Sequence, residues 1–478
     1  MDKELESLFL KYTGAQPARV EQLAGAGSNR SYFRLYGPDG NSMIGAVGTN
    51  VQENRAFLAI DTALRSKGIA VPEVYAVSDS GMCYLQQDLG DVSLFSLLEK
   101  SRQPDGFDSH VMSLLEQTVA ALPAIQFKGA QGLDFSKCFP SGSFDRQGIM
   151  WDLNYFKYCF LKGTGADFLE AELEADFNHL ADILLEGGEP CTFMFRDFQS
   201  RNVMIYQDRP WFIDFQGGRR GPIEYDLVSF IGQARAAYPE RVRERLTQVY
   251  LDALAEYCTP DPVQFRHRMD LFAAIRTLQV LGAYGYRGFF ERKSHFLLSI
   301  PAAIADLKRI MPVLAGHCPY LAGILSRIAE MPRFNVAAAK PADGLTVRVS
   351  SFSYRQGIPD DTSGNGGGFV FDCRGMHNPG LYDQYRKLTG NDTEVIDFLE
   401  RRGEIQPFLK AAYSMVDASV AKYIERGYTS LTVNFGCTGG HHRSVYSASH
   451  MARHLKEKFA GRVTVILEHR ELGIIQNL

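Results

Sequence analysis

The rhythm of apolar and polar positions changes three times along the chain. Over the first 90 residues, short apolar runs are broken by turn formers. SYFRLYGPDGNSMIGAVG (31–48) predicts a hairpin about Pro38-Asp39-Gly40, and CYLQQDLGD (83–91) a strand leading into a hinge. Between them, QENRAFLAI (52–60) predicts a helix that opens at Glu53. From about 91 to 331 helical spacing dominates, interrupted by a β signal at NVMIYQDRPWFIDF (202–215). PRFNVAAAKPADG (332–344) has no periodicity and reads as a linker. Beyond it LTVRVSSFSY is strand-like, LTVNF (431–435) is a buried strand, and SVYSASHMARHL (444–455) has helical spacing. TSGNGGG (362–368) is expected to be a mobile loop. The pattern predicts a mixed α/β (α+β) chain of two domains. The first covers 1–331, with lobes at about 1–90 and 91–331, and the second covers 345–478.

Composition narrows the class. A chain of 478 residues usually forms two or three domains, and 45% hydrophobic with 22% charged residues is ordinary for a soluble protein. A net charge of -4 gives no general reason for nucleic-acid or membrane binding. No run of about 18 apolar residues is present, and MDKELESLFLKYTG lacks the basic region of a signal peptide. The eight cysteines are scattered without a C-x-x-C pair, which argues against structural zinc or a disulfide framework and for a reducing cytoplasm.

The chemistry concentrates in FRDFQSRNVMIYQDRPWFIDFQGGRRGPIEYDL. Asp197 and Asn202 are five apart, and Asp214 follows twelve later with Phe215 beside it. Each alone reads as a turn former. As a set they match the spacing used for phosphoryl transfer, in which one carboxylate takes the hydroxyl proton and hard oxygen ligands hold Mg²⁺ against the phosphates of ATP. Asp197 suits the catalytic base; Asn202 and Asp214 suit the metal. Upstream, LAGAGSNRSYFRL has small residues where two strands would turn over phosphates: Gly25, Gly27, Ser28 and Asn29, followed by Arg30. Glu53, Gln87 and Leu89 complete the candidate nucleotide site. No lysine lies between Lys11 and Lys67, so Arg30 or Arg34 must supply any cation there.

On the stretches SNRSYFR, VPEVYAV, LQQDLGD, RDFQSRNVM, IDFQGGRRGPIEYDLVS and RTLQVLGAYGY, residues 1 to about 330 resemble the aminoglycoside-phosphotransferase-like kinases, and within them the amino-sugar anomeric kinases of the AmgK type. The resemblance implies a bilobal protein-kinase-like fold. It implies transfer of the ATP γ-phosphate to the anomeric hydroxyl of N-acetylmuramate or N-acetylglucosamine, a step of cell-wall recycling. It gives Asp226 the role of bracing the catalytic loop, and it explains the absent strand lysine. Phe195 departs from the family, which has His there. Asp152 and Asn154, on a predicted helix at 150–161, are candidates to face the sugar.

A second loop, NFGCTGGHHRS, fits C-x5-R-S with Cys437 and Arg443. Strand, glycine-rich loop and helix start together make an anion nest, to which Arg443 adds a planar fork. His441 and His442 would add donors, partly charged near neutral pH. A Cys-dependent phosphatase would need Cys437 as a thiolate and an acid such as Asp372; the alternative role for Asp372 is to orient Arg374 or Arg443. On FSYRQGIP, FVFDCRGMHNPG, LTGNDTEVIDFL, LTVNFGCTGGHHRSV and HREL, residues 345 to about 472 resemble the RapZ C-terminal domain, which implies an amino-sugar-phosphate site instead. Its residues would be Cys437, Thr438, Gly439, Gly440, His442, Arg443 and Ser444, with Arg374 and Asn378; Gly380 stands where that family has His. No nucleotide P-loop or basic tail accompanies it, and from residue 341 on 16 Lys and Arg face 15 Asp and Glu, so RNA binding is not expected. The rival to a two-domain sugar kinase is a regulatory or RNA-adaptor protein with a degenerate kinase domain. The oligomeric state is left open.

Overall fold

The computed structural model describes residues 3–23, 30–103, 105–188, 190–291, 294–297, 299–331, 334, 344–359 and 368–478. Gly25, Gly27, Ser28 and Asn29 lie outside the described residues, as do the 332–344 linker apart from Phe334 and Gly344, and TSGNGGG apart from Gly368. The chain forms two compact units, Met1–Ala283 with Ala302–Ala329, and Tyr284–Pro301 with Glu330–Leu478.

The first unit opens with helix α1 (Lys3–Thr13). Five strands follow: β1 (Arg19–Leu23), β2 (Ser31–Tyr36), β3 (Ser42–Val47), β4 (Val74–Val77) and β5 (Cys83–Gln87), with helix α2 (Val51–Ser66) inserted after β3. They form an antiparallel sheet in the order β1-β2-β3-β5-β4. The β2–β3 pair closes at Gly37–Asn41, where Gly40 takes φ 81°, so the expected hairpin is present. Leu5, Leu8 and Phe9 of α1 bury against Leu35, Cys83 and Leu85. This approach needs Gly45, since a Cβ there would come within 2.8 Å of Leu5 side-chain atoms. Asn50 caps α2 by accepting from the N–H groups of Gln52 and Glu53.

The second lobe is helical: α3 (Ser109–Ala130), α4 (Arg146–Phe156), α5 (Glu170–Leu184), α6 (Ile223–Ile231), α7 (Glu240–Leu254) and α8 (Pro262–Gly285). A hairpin interrupts it, β6 (Val203–Tyr206) with β7 (Arg209–Phe212). Its two turn residues, Gln207 and Asp208, both have positive φ, the geometry that joins twisted strands in two residues.

The other unit carries a second five-stranded sheet. Its elements are β8 (Leu345–Ser353), β9 (Gly368–Asp372), α9 (Thr393–Arg401), α10 (Ile405–Glu425), β10 (Ser430–Cys437), α11 (Arg443–Lys458), β11 (Val463–His469) and β12 (Ile474–Asn477). The order is β9-β10-β8-β11-β12, parallel except for β12. Val347, Val349, Val433, Phe435, Val465 and their helical partners form its core. Parallel strands buried on both faces read as continuous apolar runs, which is why LTVNF was legible.

Candidate functional sites

In the first unit the hairpin fixes the spacing of the Asp–Asn–Asp set. Beyond the Val203–Phe212 pair, the N–H of Ile213 donates to the carbonyl of Asn202 at 3.0 Å, which brings Asp214 beside Asn202. Asn202 Nδ2 donates to the carbonyl of Asp197 at 2.9 Å. All three residues therefore belong to one constellation. Arg196 and Asp214 hold positive φ, 74° and 68°, which is costly for residues with a Cβ and persists only where surroundings enforce it. Asp226 on α6 enforces the first, accepting from the N–H groups of Phe195 at 2.7 Å and Arg196 at 2.8 Å. Burial raises the Asp226 carboxyl to about 7 despite those bonds.

Asp197 has a partner that spacing did not reveal. Arg276 on α8 donates from Nη2 to Asp197 Oδ1 at 2.9 Å. Burial alone would raise the Asp197 carboxyl; the guanidiniums of Arg276, Arg196 and Arg201 reverse this and hold it below the ordinary carboxylate value. Its side chain remains 38% exposed, so it is open to a substrate hydroxyl. Asp214 goes the other way: burial and the charge of Asp197 raise it, with a 2.9 Å bond from Gln216 in opposition. The carboxylate oxygens of half-buried Asp214 and the amide oxygen of Asn202 are hard donors of the kind that fit Mg²⁺.

A cavity of about 300 Å³ opens on Asp197 and Asp214, lined also by Glu53, Trp151, Asp152 and Arg219. Asp152 on α4 bonds Arg196 Nη2 at 2.9 Å, so it reaches the cavity, whereas Asn154 does not line it. Arg219 is lowered to about 10 by burial and by the charge of Arg196, and stays positive at neutral pH.

Of the two candidate cations, Arg30 is buried with Nη2 3.6 Å from Glu53 Oε1 on α2. Arg34 is bound to Asp88 at 2.6 and 3.0 Å and to Asp91 at 2.8 Å, which commits it to the hinge. Gln87 exchanges bonds with Glu73 through its N–H and its amide oxygen, and Leu89 is buried. Phe195 packs as an apolar residue. A column of rings runs from Tyr84 through Phe57 to Phe215 (4.9 Å each), then edge-on to Phe195 at 6.0 Å and on to Phe198 at 5.4 Å.

The second site lies at the carboxyl ends of β8, β9 and β10, where ligands gather in parallel sheets. Ser353 is registered with Cys437, and Asp372 with Gly436. The Gly440 N–H donates to Cys437 Sγ at 3.2 Å, and Ser444 Oγ lies 3.1 Å from the same sulfur. Arg443 is buried and donates from Nη1 to the carbonyls of Arg374 and Met376 at 3.1 and 2.6 Å. It thus ties the 374–376 turn to the loop. His442 Nε2 lies 2.9 Å from the carbonyl of Tyr385, and burial lowers its pKa. This corrects the expectation for His442, which burial moves toward the neutral form. Thr438 and Gly439 remain accessible, Arg374 is exposed over the Tyr354 ring, and Asn378 Oδ1 accepts from Gly380. Asp372 chelates Arg374, and that bond holds its carboxyl below the usual range, the opposite of what a proton donor needs. Gly390 passes so close that a Cβ would meet the His442 carbonyl.

Among the described residues no helix is long and apolar enough to cross a membrane, and no three His, Cys, Asp or Glu side chains converge as a metal cluster. The family model "Phosphotransferase enzyme family" matches residues 19–260, and "RapZ C-terminal domain" matches 345–473. A "Nucleotide-binding protein" of Xylella fastidiosa (strain 9a5c) is 35% identical over 182 residues, 37% of this chain and 60% of that one. Another of Acidithiobacillus ferrooxidans (strain ATCC 53993 / BNL-5-31) is 37% identical over 142 residues, 30% and 44% of the two chains. The chain thus spans at most about 60% of the length of these curated relatives. Among solved structures, choline kinase from Cryptosporidium parvum Iowa II is similar with TM-score 0.43 and 10% identity, over 64% of this chain and 93% of that one.

Proposed function

Because the chain belongs to the phosphotransferase enzyme family and carries a RapZ C-terminal domain, we propose that it is an ATP-dependent kinase of an amino sugar with a second domain that binds an amino-sugar phosphate. The observation that carries the kinase reading is the joining of Asp197, Asn202 and Asp214 in one constellation, with Asp197 and Asp214 in the wall of a cavity. In this reading Asp197, held ionised by Arg276, accepts the proton of the sugar hydroxyl as it attacks the γ-phosphate. Asn202 and Asp214 would hold Mg²⁺, which would neutralise charge on the phosphates. Arg30, paired with Glu53, reaches toward the phosphates in place of a strand lysine. The acceptor is the anomeric hydroxyl of N-acetylmuramate or N-acetylglucosamine. Trp151 in the cavity wall offers a sugar a ring face. The setting is cytoplasmic cell-wall recycling. ATP turnover against a panel of amino sugars tests this: the expected result is Mg²⁺-dependent phosphorylation of N-acetylmuramate or N-acetylglucosamine. No turnover with any sugar leaves the rival, a regulator with a degenerate kinase domain.

For the second domain, the loop 437–444 retains a sugar phosphate rather than hydrolysing it. Support comes from Asp372, held ionised, and from Arg443, whose Nη1 is engaged with backbone carbonyls. Calorimetry with glucosamine-6-phosphate beside a phosphate-release assay tests this; steady release that disappears in Cys437→Ser would make the domain a phosphatase.

A further inference from the structure

Two of the eight cysteines meet at the ligand loop. Asp372 and Gly436 are the last registered pair of β9 and β10, so Cys373 and Cys437 follow it side by side. Both are buried in the same core, 0% and 3% exposed. Each thiol touches a hydroxyl of α11: Cys437 Sγ lies 3.1 Å from Ser444 Oγ, and Cys373 Sγ 3.7 Å from Ser447 Oγ. Ser444 and Ser447 are three apart on one helix, neighbours on its surface. Adjacent strands run about 4.8 Å apart, within the Cα separation of about 4.4–6.8 Å that a disulfide requires.

We propose that Cys373 and Cys437 are a redox modification site, forming a reversible disulfide across the ends of β9 and β10 that alters the ligand loop. The two sulfurs have different parts. Cys437 sits at a loop ahead of a helix N-terminus, and its sulfur accepts the Gly440 N–H. Cys373 is pushed up to about 12 by burial, so it stays a thiol and acts second. With a peroxide as oxidant, the Cys437 sulfur attacks one peroxide oxygen and the O–O bond breaks. The leaving oxygen departs as water, and Cys437 becomes a sulfenic acid. The Cys373 sulfur then displaces the hydroxyl from Cys437. The S–S bond forms, the Cys373 proton leaves with that oxygen as a second water, and two electrons have passed to the peroxide. Two equivalents of an external thiol reverse it by exchange.

The consequence for ligand rests on the sugar-phosphate reading; the disulfide itself does not. Drawing Cys437 Sγ toward Cys373 removes the acceptor of the Gly440 N–H and shifts the loop. The experiment treats the full chain with hydrogen peroxide and maps the tryptic peptides by mass. The expected product joins the peptide 356–374, which ends in FDCR, to the peptide 427–443, which ends in CTGGHHR; it disappears with dithiothreitol and is absent from Cys373→Ala. Reduced Cys373→Ala should fold with an unchanged melting profile, and it should bind glucosamine-6-phosphate as the parent does. The oxidised parent should bind it at least tenfold more weakly, and oxidised Cys373→Ala should not show that reversible loss. Cys437 found only as an isolated oxyacid, or Cys373 unmodified at every peroxide level, overturns the proposal. If the disulfide forms but neither redox state binds the sugar phosphate, the redox site stands and the ligand reading fails.

Discussion

Asp197 is held at both ends, its carbonyl by Asn202 and its carboxylate by Arg276. Asp197→Asn keeps the first bond and removes the base. Turnover should fall by about 10²–10⁴, while ATP still binds, measured by steady-state kinetics beside nucleotide titration. The Arg30–Glu53 pair makes a second case. Arg30→Ala should raise the KM for ATP by about tenfold to a hundredfold, the equivalent of one charged hydrogen bond at ~1.5–3 kcal/mol, and Arg30→Lys should recover part of it. An unchanged KM in Arg30→Ala would remove this residue from the nucleotide site. Asp197, Asn202 and Asp214 were legible because one loop and one hairpin place them within eighteen residues of sequence. Arg276 was not, since it is 79 residues from the carboxylate it grips and looks like any helical arginine. The choice between Arg30 and Arg34 was equally hidden, because it depends on where Asp88 and Asp91 fall in space.

At the scale of elements, helix α2 carries a buried carboxyl at Asp61, 3% exposed, with Oδ1 unpartnered. Burial raises it from 3.8 to about 7, with Arg65 opposing and Glu73 adding. The folded state therefore holds this proton where the unfolded chain has lost it. Stability falls as pH rises from about 4 to about 7, by at most about 4 kcal/mol from this group, and levels off above. Asp61→Asn should melt higher than the parent at pH 8 and equally at pH 4; equal melting at both would refute the burial argument. The loop before α11 yields a contrasting pair. Arg443→Ala should weaken sugar-phosphate binding by about 1.5–3 kcal/mol and also lower the melting temperature, because its guanidinium holds two backbone carbonyls. Arg374→Ala, at an exposed residue, should weaken binding with little effect on melting. Calorimetry beside thermal scans separates the two. The strand–loop–helix around Cys437 was readable from period and glycines, whereas the inward turn of Arg443 was not, because it is set by the 374–376 carbonyls from a distant segment.

At the scale of the molecule, two cores in one chain give two places where a ligand can stabilise. An ATP analogue with Mg²⁺ should raise one thermal transition and glucosamine-6-phosphate another, each by RT ln(1 + [L]/Kd). If both ligands move the same transition and none other, the assignment of separate sites is wrong. The division into a first part of hairpins and helices and a last part of parallel strands was visible as a change of hydrophobic rhythm. The order of the last sheet was not, since parallel neighbours share no local signal. That order has a consequence in time. β8 lies in the middle of its sheet, yet both its neighbours come later in the chain. Ser350 on β8 waits for Asn434 on β10, 84 residues downstream. At a synthesis rate of ~5–20 residues/s that is roughly 4–17 s during which an apolar strand has no partner to pair with. The strand at the centre of the sheet is made first and buried among the last.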